Sequence, residues 1–150
     1  MRLGSSPLVA LGIVLAASGA LPPPQDRVDP QPPLSRAAFA GHTLSAVTYA
    51  RGSGGSSVAA TMWQAYLHAD GQATIRNWDG ARNAYSPAQR STWTLDGERF
   101  CLGRSPNGAA GPDCVDLHGW GTTLAGIGAD GRSMFKGDLK PGDLVSGGPR

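Results

Sequence analysis

The sequence predicts an all-β fold, a small antiparallel barrel or sandwich of six to eight strands with a short N-terminal helix. Three observations predict it. Asp-Gly recurs at 70–71, 79–80, 96–97 and 130–131, mostly between alternating apolar and polar residues. That dipeptide supplies the positive φ that a tight hairpin turn demands. Cys101 and Cys114 flank a turn-rich stretch, residues 103–113, that can close a further hairpin and set the two thiols opposite each other.

The chain opens with Met1-Arg2, an apolar run from Pro7 to Ala17 and the small residues Ser18-Gly19-Ala20, which is the pattern of a signal peptide over residues 1–20. The run is about 11 residues, short of the ~20 that span a bilayer as a helix. A retained anchor is the competing reading. After cleavage no stable membrane insertion is expected. Residues 21–33 (LPPPQDRVDPQPP) hold six of the twelve prolines and read as an extended spacer. Export together with a cysteine pair points to an oxidising compartment, periplasmic or secreted.

Residues 34–144 fit one domain with one modest core. Ser35 to Ala40 reads as a short helix with Ser35 as N-cap and Gly41 as its stop. His42 to Tyr49 reads as a strand, and GSGGSS (52–57) as a flexible loop. Thr61–Ala69 against Gln72–Trp78 forms the first hairpin. A two-residue turn there sets Tyr66 opposite Ile75 and Trp63 opposite Trp78. Val58, Met62, Tyr66 and Ala69 would also make a helical stripe, but Asp70-Gly71 and the following Thr74-Ile75 favour strand. Asp79-Gly80 opens a loop, 81–89.

A turn at Asp96-Gly97 sets Leu95 against Glu98 and Trp93 against Phe100, with Trp93, Phe100 and Leu102 on one apolar face. Pairing Cys101 with Cys114 then brings Phe100 beside Val115 and Arg99 beside Asp116. Opposed Cα atoms in antiparallel strands lie ~4.5–5.5 Å apart, within disulfide range. One register thus yields a buried apolar row, an outer disulfide and an outer ion pair. Thr122–Gly128 and Arg132–Lys136 make the last hairpin, with Ile127 opposite Met134. Residues 145–150 read as an unfolded tail.

The formal charge of +2 argues against nucleic acid as a partner. The three histidines, His42, His68 and His118, have no metal-ligand spacing, and the cysteines serve more economically as a disulfide, so no metal or other cofactor is expected. No Gly-x-Ser-x-Gly elbow is present and Glu98 is the sole glutamate, so a catalytic site finds no support. The four tryptophans are expected mainly in the core; Trp63 and Trp78 fit either an inward or an outward aim. Loops carried on a rigid sheet commonly hold binding groups. Within WDGARNAYSPAQR (78–90) the candidate ligand-binding residues are Trp78, Arg82 and Tyr85.

The order of a short helix at 34–40, Gly41-x-Thr43, YLHADG at 66–71, Trp93, Phe100-Cys101-Leu102, Cys114 and Pro141-Gly142-Asp143 resembles that of small exported proteobacterial β-rich domains of unknown function. The resemblance covers residues 34–144 and implies the fold; it carries over no catalytic residue. Three functions follow as expectations. The first is a non-catalytic periplasmic binding module whose partner is an envelope protein or a glycan. The second is an inhibitor of a secreted hydrolase, similar to compact bacterial metalloprotease and lysozyme inhibitors. The chain departs from the protease-inhibitor pattern by placing prolines where a free N-terminal segment would enter the active site. The third, an enzyme, would need a polar cluster the sequence does not display.

Overall fold

A computed structural model describes residues 34–51, 57–106, 113–120 and 122–147. The export segment (1–20), the Pro-rich spacer (21–33), most of the GSGGSS loop and the middle of the 103–113 stretch lie outside them. The elements are α1 (Arg36–Phe39), β1 (His42–Arg51), β2 (Ser57–Leu67), β3 (Gln72–Asp79), β4 (Ala84–Tyr85), β5 (Gln89–Asp96), β6 (Arg99–Leu102), β7 (Asp113–Trp120), β8 (Thr123–Ile127) and β9 (Ser133–Pro141). Pairing is antiparallel throughout, in the order β2-β1-β9-β8-β7-β6-β5-β3-β4, with β2 also paired to β3. The sheet therefore closes on itself. Eight strands make a barrel, β4 is attached outside the ring, and the sandwich alternative falls.

The short N-terminal helix of the sequence reading is reduced to a single turn. Ser35 Oγ accepts the Ala38 amide at 3.2 Å, and Gly41, at φ 77°, turns the chain into β1. This turn covers one pole of the barrel. Phe39 is buried 6.3 Å from the Phe100 ring centroid, and the Arg36 guanidinium sits 5.4 Å above Trp93. Inside, Trp63, Trp93, Phe100, Leu44, Leu67 and Leu117 are almost fully buried. The Phe135 ring occupies the place a Cβ at Gly126 would take and meets Trp63 edge-on at 5.3 Å.

The second hairpin keeps its predicted faces but not its predicted turn. Asp96 pairs with Arg99 rather than Leu95 with Glu98, so the two-residue loop is Gly97-Glu98, with Gly97 at φ 57°. A shift of two residues returns every side chain to the same face, so Trp93, Phe100 and Leu102 remain inside. Across to β7 the register is the predicted one: Cys101 opposes Cys114, Phe100 opposes Val115 and Arg99 opposes Asp116. The disulfide joins Cα atoms 4.1 Å apart, and Arg99 Nη1 lies 3.0 Å from Asp116 Oδ1 on the outer surface.

The first and last hairpins correct the sequence reading. Trp63 pairs with Asn77 and Tyr66 with Thr74, one residue away from the expected partners. The cause is a longer turn. The Gly71 amide donates to His68 O at 3.1 Å, the His68 amide to Gln72 O at 2.9 Å, and Gly71 alone has positive φ, 89°. This is a three-residue loop ending in a left-handed glycine, not the two-residue primed turn. Asp70 contributes by accepting the Gln72 amide at 2.9 Å. A one-residue slip exchanges faces, so Trp63 points inward and donates Nε1–H to Thr48 Oγ1 at 2.8 Å, while Trp78 points outward. Ala129-Asp130-Gly131 repeats the device: the Gly131 amide donates to Gly128 O, and the Arg132 amide to Asp130 Oδ1. Ile127 accordingly pairs with Ser133 instead of Met134, but a bulge between Gly126 and Ile127 restores the expected register over Thr123–Gly126.

The C-terminal boundary also moves. Val145, read from sequence as the start of an unfolded tail, is buried at 3% exposure. Residues 142–147 form a strap across the outside of β1, β2 and β3. Thr43 points outward yet is fully covered, because its Oγ1 donates to Gly142 O at 2.7 Å and accepts the Leu144 amide at 3.0 Å. Asp143 caps the strap through the Val145 and Ser146 amides, each 2.9 Å from Oδ1.

Partial burial pushes the Asp143 pKa up. The bonds from Ser146 and from the Val145 amide, with the charge of His68, outweigh that push, and the net shift is downward. A lowered carboxylate contributes stability that is complete above its unfolded pKa and lost as pH falls through the folded one. The strap is therefore expected to loosen only below the ordinary aspartate range. An NMR titration of the Val145 and Ser146 amides should show a midpoint below that of a free aspartate, and His68→Ala should raise it.

Candidate functional site

One pole of the barrel is closed by α1; the other carries the loops after β1, β3, β6 and β8. Here the segment 104–106 folds over the mouth. Ser105 and Pro106 are buried, and Ser105 Oγ donates to Asp113 Oδ2 at 3.0 Å. Beneath it, among the described residues, lie a recess of about 20 Å³ beside Trp63 and Phe100 and another of about 30 Å³ beside Asn77 and Gln89. Each has room for about one water. Around these two recesses the interior is filled by side chains in the manner of a small barrel.

The outer face of β3 and β4 carries a cluster of two aromatic rings and a guanidinium. Trp78 pairs with Tyr85 across the two strands, and their rings meet edge-to-face at 5.2 Å. Arg76, two residues before Trp78 and so on the same face, lays its guanidinium 4.4 Å from the Tyr85 ring centroid. It also donates from Nη1 to Val145 O at 3.1 Å, from Nη2 to Leu144 O, and from Nε to Gln64 Oε1 at 2.9 Å. Arg76 therefore binds the strap, the β2 surface and the aromatic pair together. Charge-assisted bonds and ring stacking of this kind suit arginine rather than lysine.

Arg82 stands at the tip of the hairpin with its side chain 79% exposed, its Nε 3.5 Å from Asp79 Oδ2. Asp79 shapes that turn by accepting the Ala81 and Arg82 amides at 3.0 and 3.2 Å, and Asn83 takes φ 51°. The structure thus joins Trp78 to Tyr85, sets Arg82 beside Asp79 at the tip, and adds Arg76, which the sequence reading passed over. Alternation along β3 was its available signal. Arg76 shares a strand face with Trp78 whatever the register, but a register that turned Trp78 against Trp63 hid the pair from view.

The remaining polar groups are dispersed. His42 Nδ1 contacts Ala40 O at 3.1 Å, His68 Nε2 contacts Thr74 Oγ1 at 3.0 Å, and His118 is exposed on β7. Among the described residues no three His, Cys, Asp or Glu side chains gather closely enough to hold a metal ion. No helix among them is long and apolar enough to cross a membrane. No family model matches the chain, and no curated protein and no solved structure shows significant similarity to it.

Proposed function

We propose that this chain is an exported, non-catalytic binding module of the periplasm or the cell exterior, taking an envelope glycan or envelope protein on the outer face of β3 and β4. Trp78 and Tyr85 are its anchors, and Arg82 reaches the ligand from the hairpin tip. The reading is carried by one observation: β4 is not needed to close the barrel, yet it keeps two aromatic rings half-exposed on the surface with a guanidinium packed against one of them. Trp, Tyr and Arg dominate the energetics of recognition surfaces, and rings edge-on to one another also offer faces for sugar stacking. The disulfide fits a location outside the reducing cytoplasm.

The test is an affinity measurement with the processed chain on native envelope extract, comparing retained glycan with retained protein. Trp78→Ala should weaken retention by roughly 30-fold, a hot-spot loss of about 2 kcal/mol, while the melting temperature stays within a few degrees. Undiminished retention would remove Trp78 and Tyr85 from the site. Capture of a secreted hydrolase with loss of its activity would turn the reading toward inhibition, for which a packed barrel suits because little is left to order on docking.

A further inference from the structure

The outer wall around the aromatic pair carries positive charge that the protein leaves unanswered. Residues 76–90 hold Arg76, Arg82 and Arg90 against Asp79, a formal +2 equal to that of the whole chain, so the rest of the sequence sums to zero. On strands β1 to β5 the acidic residues are Asp79 and Asp96. Asp79 is turned to the Ala81 and Arg82 amides of its own hairpin. Asp96 lies at the turn into β6, at the opposite pole.

Two of these arginines share one face. Thr74 opposes Arg90 across β3 and β5, and opposed residues of a sheet lie on the same side. Arg76 follows Thr74 by two residues, so Arg76, Trp78 and Arg90 all point outward. Diagonal neighbours of this kind stand about 7–8 Å apart at the backbone, and like charges so placed repel. The ion pairs among the described residues are Arg82–Asp79, Arg99–Asp116 and Arg132–Asp130. Neither Arg76 nor Arg90 has a carboxylate partner there. Arg76 meets only neutral acceptors, the Gln64 side chain and the carbonyls of Leu144 and Val145, and a guanidinium has further N–H groups to spare. Arg90 is exposed and makes no side-chain hydrogen bond among the described residues.

We infer that this surface takes an anionic glycan. A sugar ring stacks on Trp78, its carboxylate or phosphate is held by Arg76 and Arg90, and Arg82 adds charge from the hairpin tip. The inference rests on the proposed Trp78–Tyr85 surface and names the chemistry of its ligand. Charge complementarity supplies the acid, because planar guanidinium groups grip carboxylate and phosphate through paired N–H donors. Tyr85 and the strap already hold the Arg76 guanidinium in place, so little is left to order when the ligand arrives. Size favours a sugar over a protein. A stable protein interface buries about 800 Å² on each partner around a centre poor in charge. Here the exposed large hydrophobics among the described residues are Met62 on β2 and Leu144 on the strap, and the two rings sit among cations instead.

The test immobilises the processed chain and offers two pairs of polysaccharides, polygalacturonate with its methyl ester and phosphomannan with neutral mannan. At least one acidic polymer should bind roughly tenfold tighter than its neutral counterpart, the worth of a charge-assisted contact. That preference should fade as salt rises. Arg90→Gln should erase most of it at an unchanged melting temperature, because the side chain is exposed and unbonded. Trp78→Ala should weaken both members of the pair. Absence of an acidic preference, or of any binding, overturns the inference. So does polyglutamate held as tightly as the acidic polysaccharides, which would point to an acidic protein. Those results leave the extract test of Trp78 standing, whereas a Trp78→Ala chain that still retains its envelope ligand removes the surface itself.

Discussion

Trp93→Ala is expected to cost the domain about 3–5 kcal/mol, the usual loss for truncating a fully buried aromatic side chain. Trp93 is 1% exposed, and its Nε1–H donates to His68 O at 2.8 Å. Removing the ring leaves that carbonyl without this donor, opens a cavity against Phe100 and Leu102, and takes away the surface on which Arg36 and the first helical turn rest. A domain of this size has roughly 5–15 kcal/mol in all, so the variant should melt about 10–20 °C lower. Trp78→Ala provides the contrast, because the same residue type on the outer face should cost about 1 kcal/mol or less in stability. Equal losses at the two positions would contradict the inward and outward assignments of β3 and β5.

Reducing the Cys101–Cys114 bond should cost about 3 kcal/mol, the loop-closure estimate for residues 13 apart in sequence. The melting temperature should drop by about 10 °C. Both sulfurs lie on the outer, half-exposed side of β6 and β7, so a mild reductant reaches them without prior unfolding. Cys101→Ser with Cys114→Ser should reproduce the shift. The β6–β7 pairing itself has independent support from the Phe100–Val115 and Arg99–Asp116 pairs, so the reduced chain should remain folded at room temperature. An unchanged melting curve after confirmed thiol release would show that the crosslink contributes little.

The part of the barrel built from β5, β6 and β7 was legible in the sequence because two constraints coincide there. The alternation of Trp93, Phe100, Leu102, Val115 and Leu117 sets the inner face, and the cysteine pair sets the register; an error of two in the Gly97 turn left every face intact. Elsewhere only Asp-Gly was available, and it is ambiguous. The same two letters end a three-residue loop when the chain puts its left-handed residue on glycine alone, and one extra loop residue reverses inside and outside. That single residue separated Trp63 from Trp78 and obscured the surface that Arg76, Trp78 and Tyr85 share. Closure through β1 and β9 left no local trace, since no turn joins strands so distant in sequence. Val145 was hidden for a similar reason. It is buried by an outward Thr43 and by Arg76, on a barrel face where polar residues ordinarily mean solvent.

Closure by the first and last strands has a geometric result for how the molecule is held. His42 and Pro141 are directly opposed, so the chain enters and leaves the barrel at one pole. The mouth bearing the β3–β4 hairpin is at the other, about 30 Å away by the length of a ten-residue strand. The two ends then part: the chain reaches β1 through α1 at that pole, whereas the strap carries it from Pro141 across the wall to Arg76, which packs on Tyr85. Bulk added just after Val145 would therefore crowd the aromatic pair, and bulk added just before α1 would stand at the opposite end.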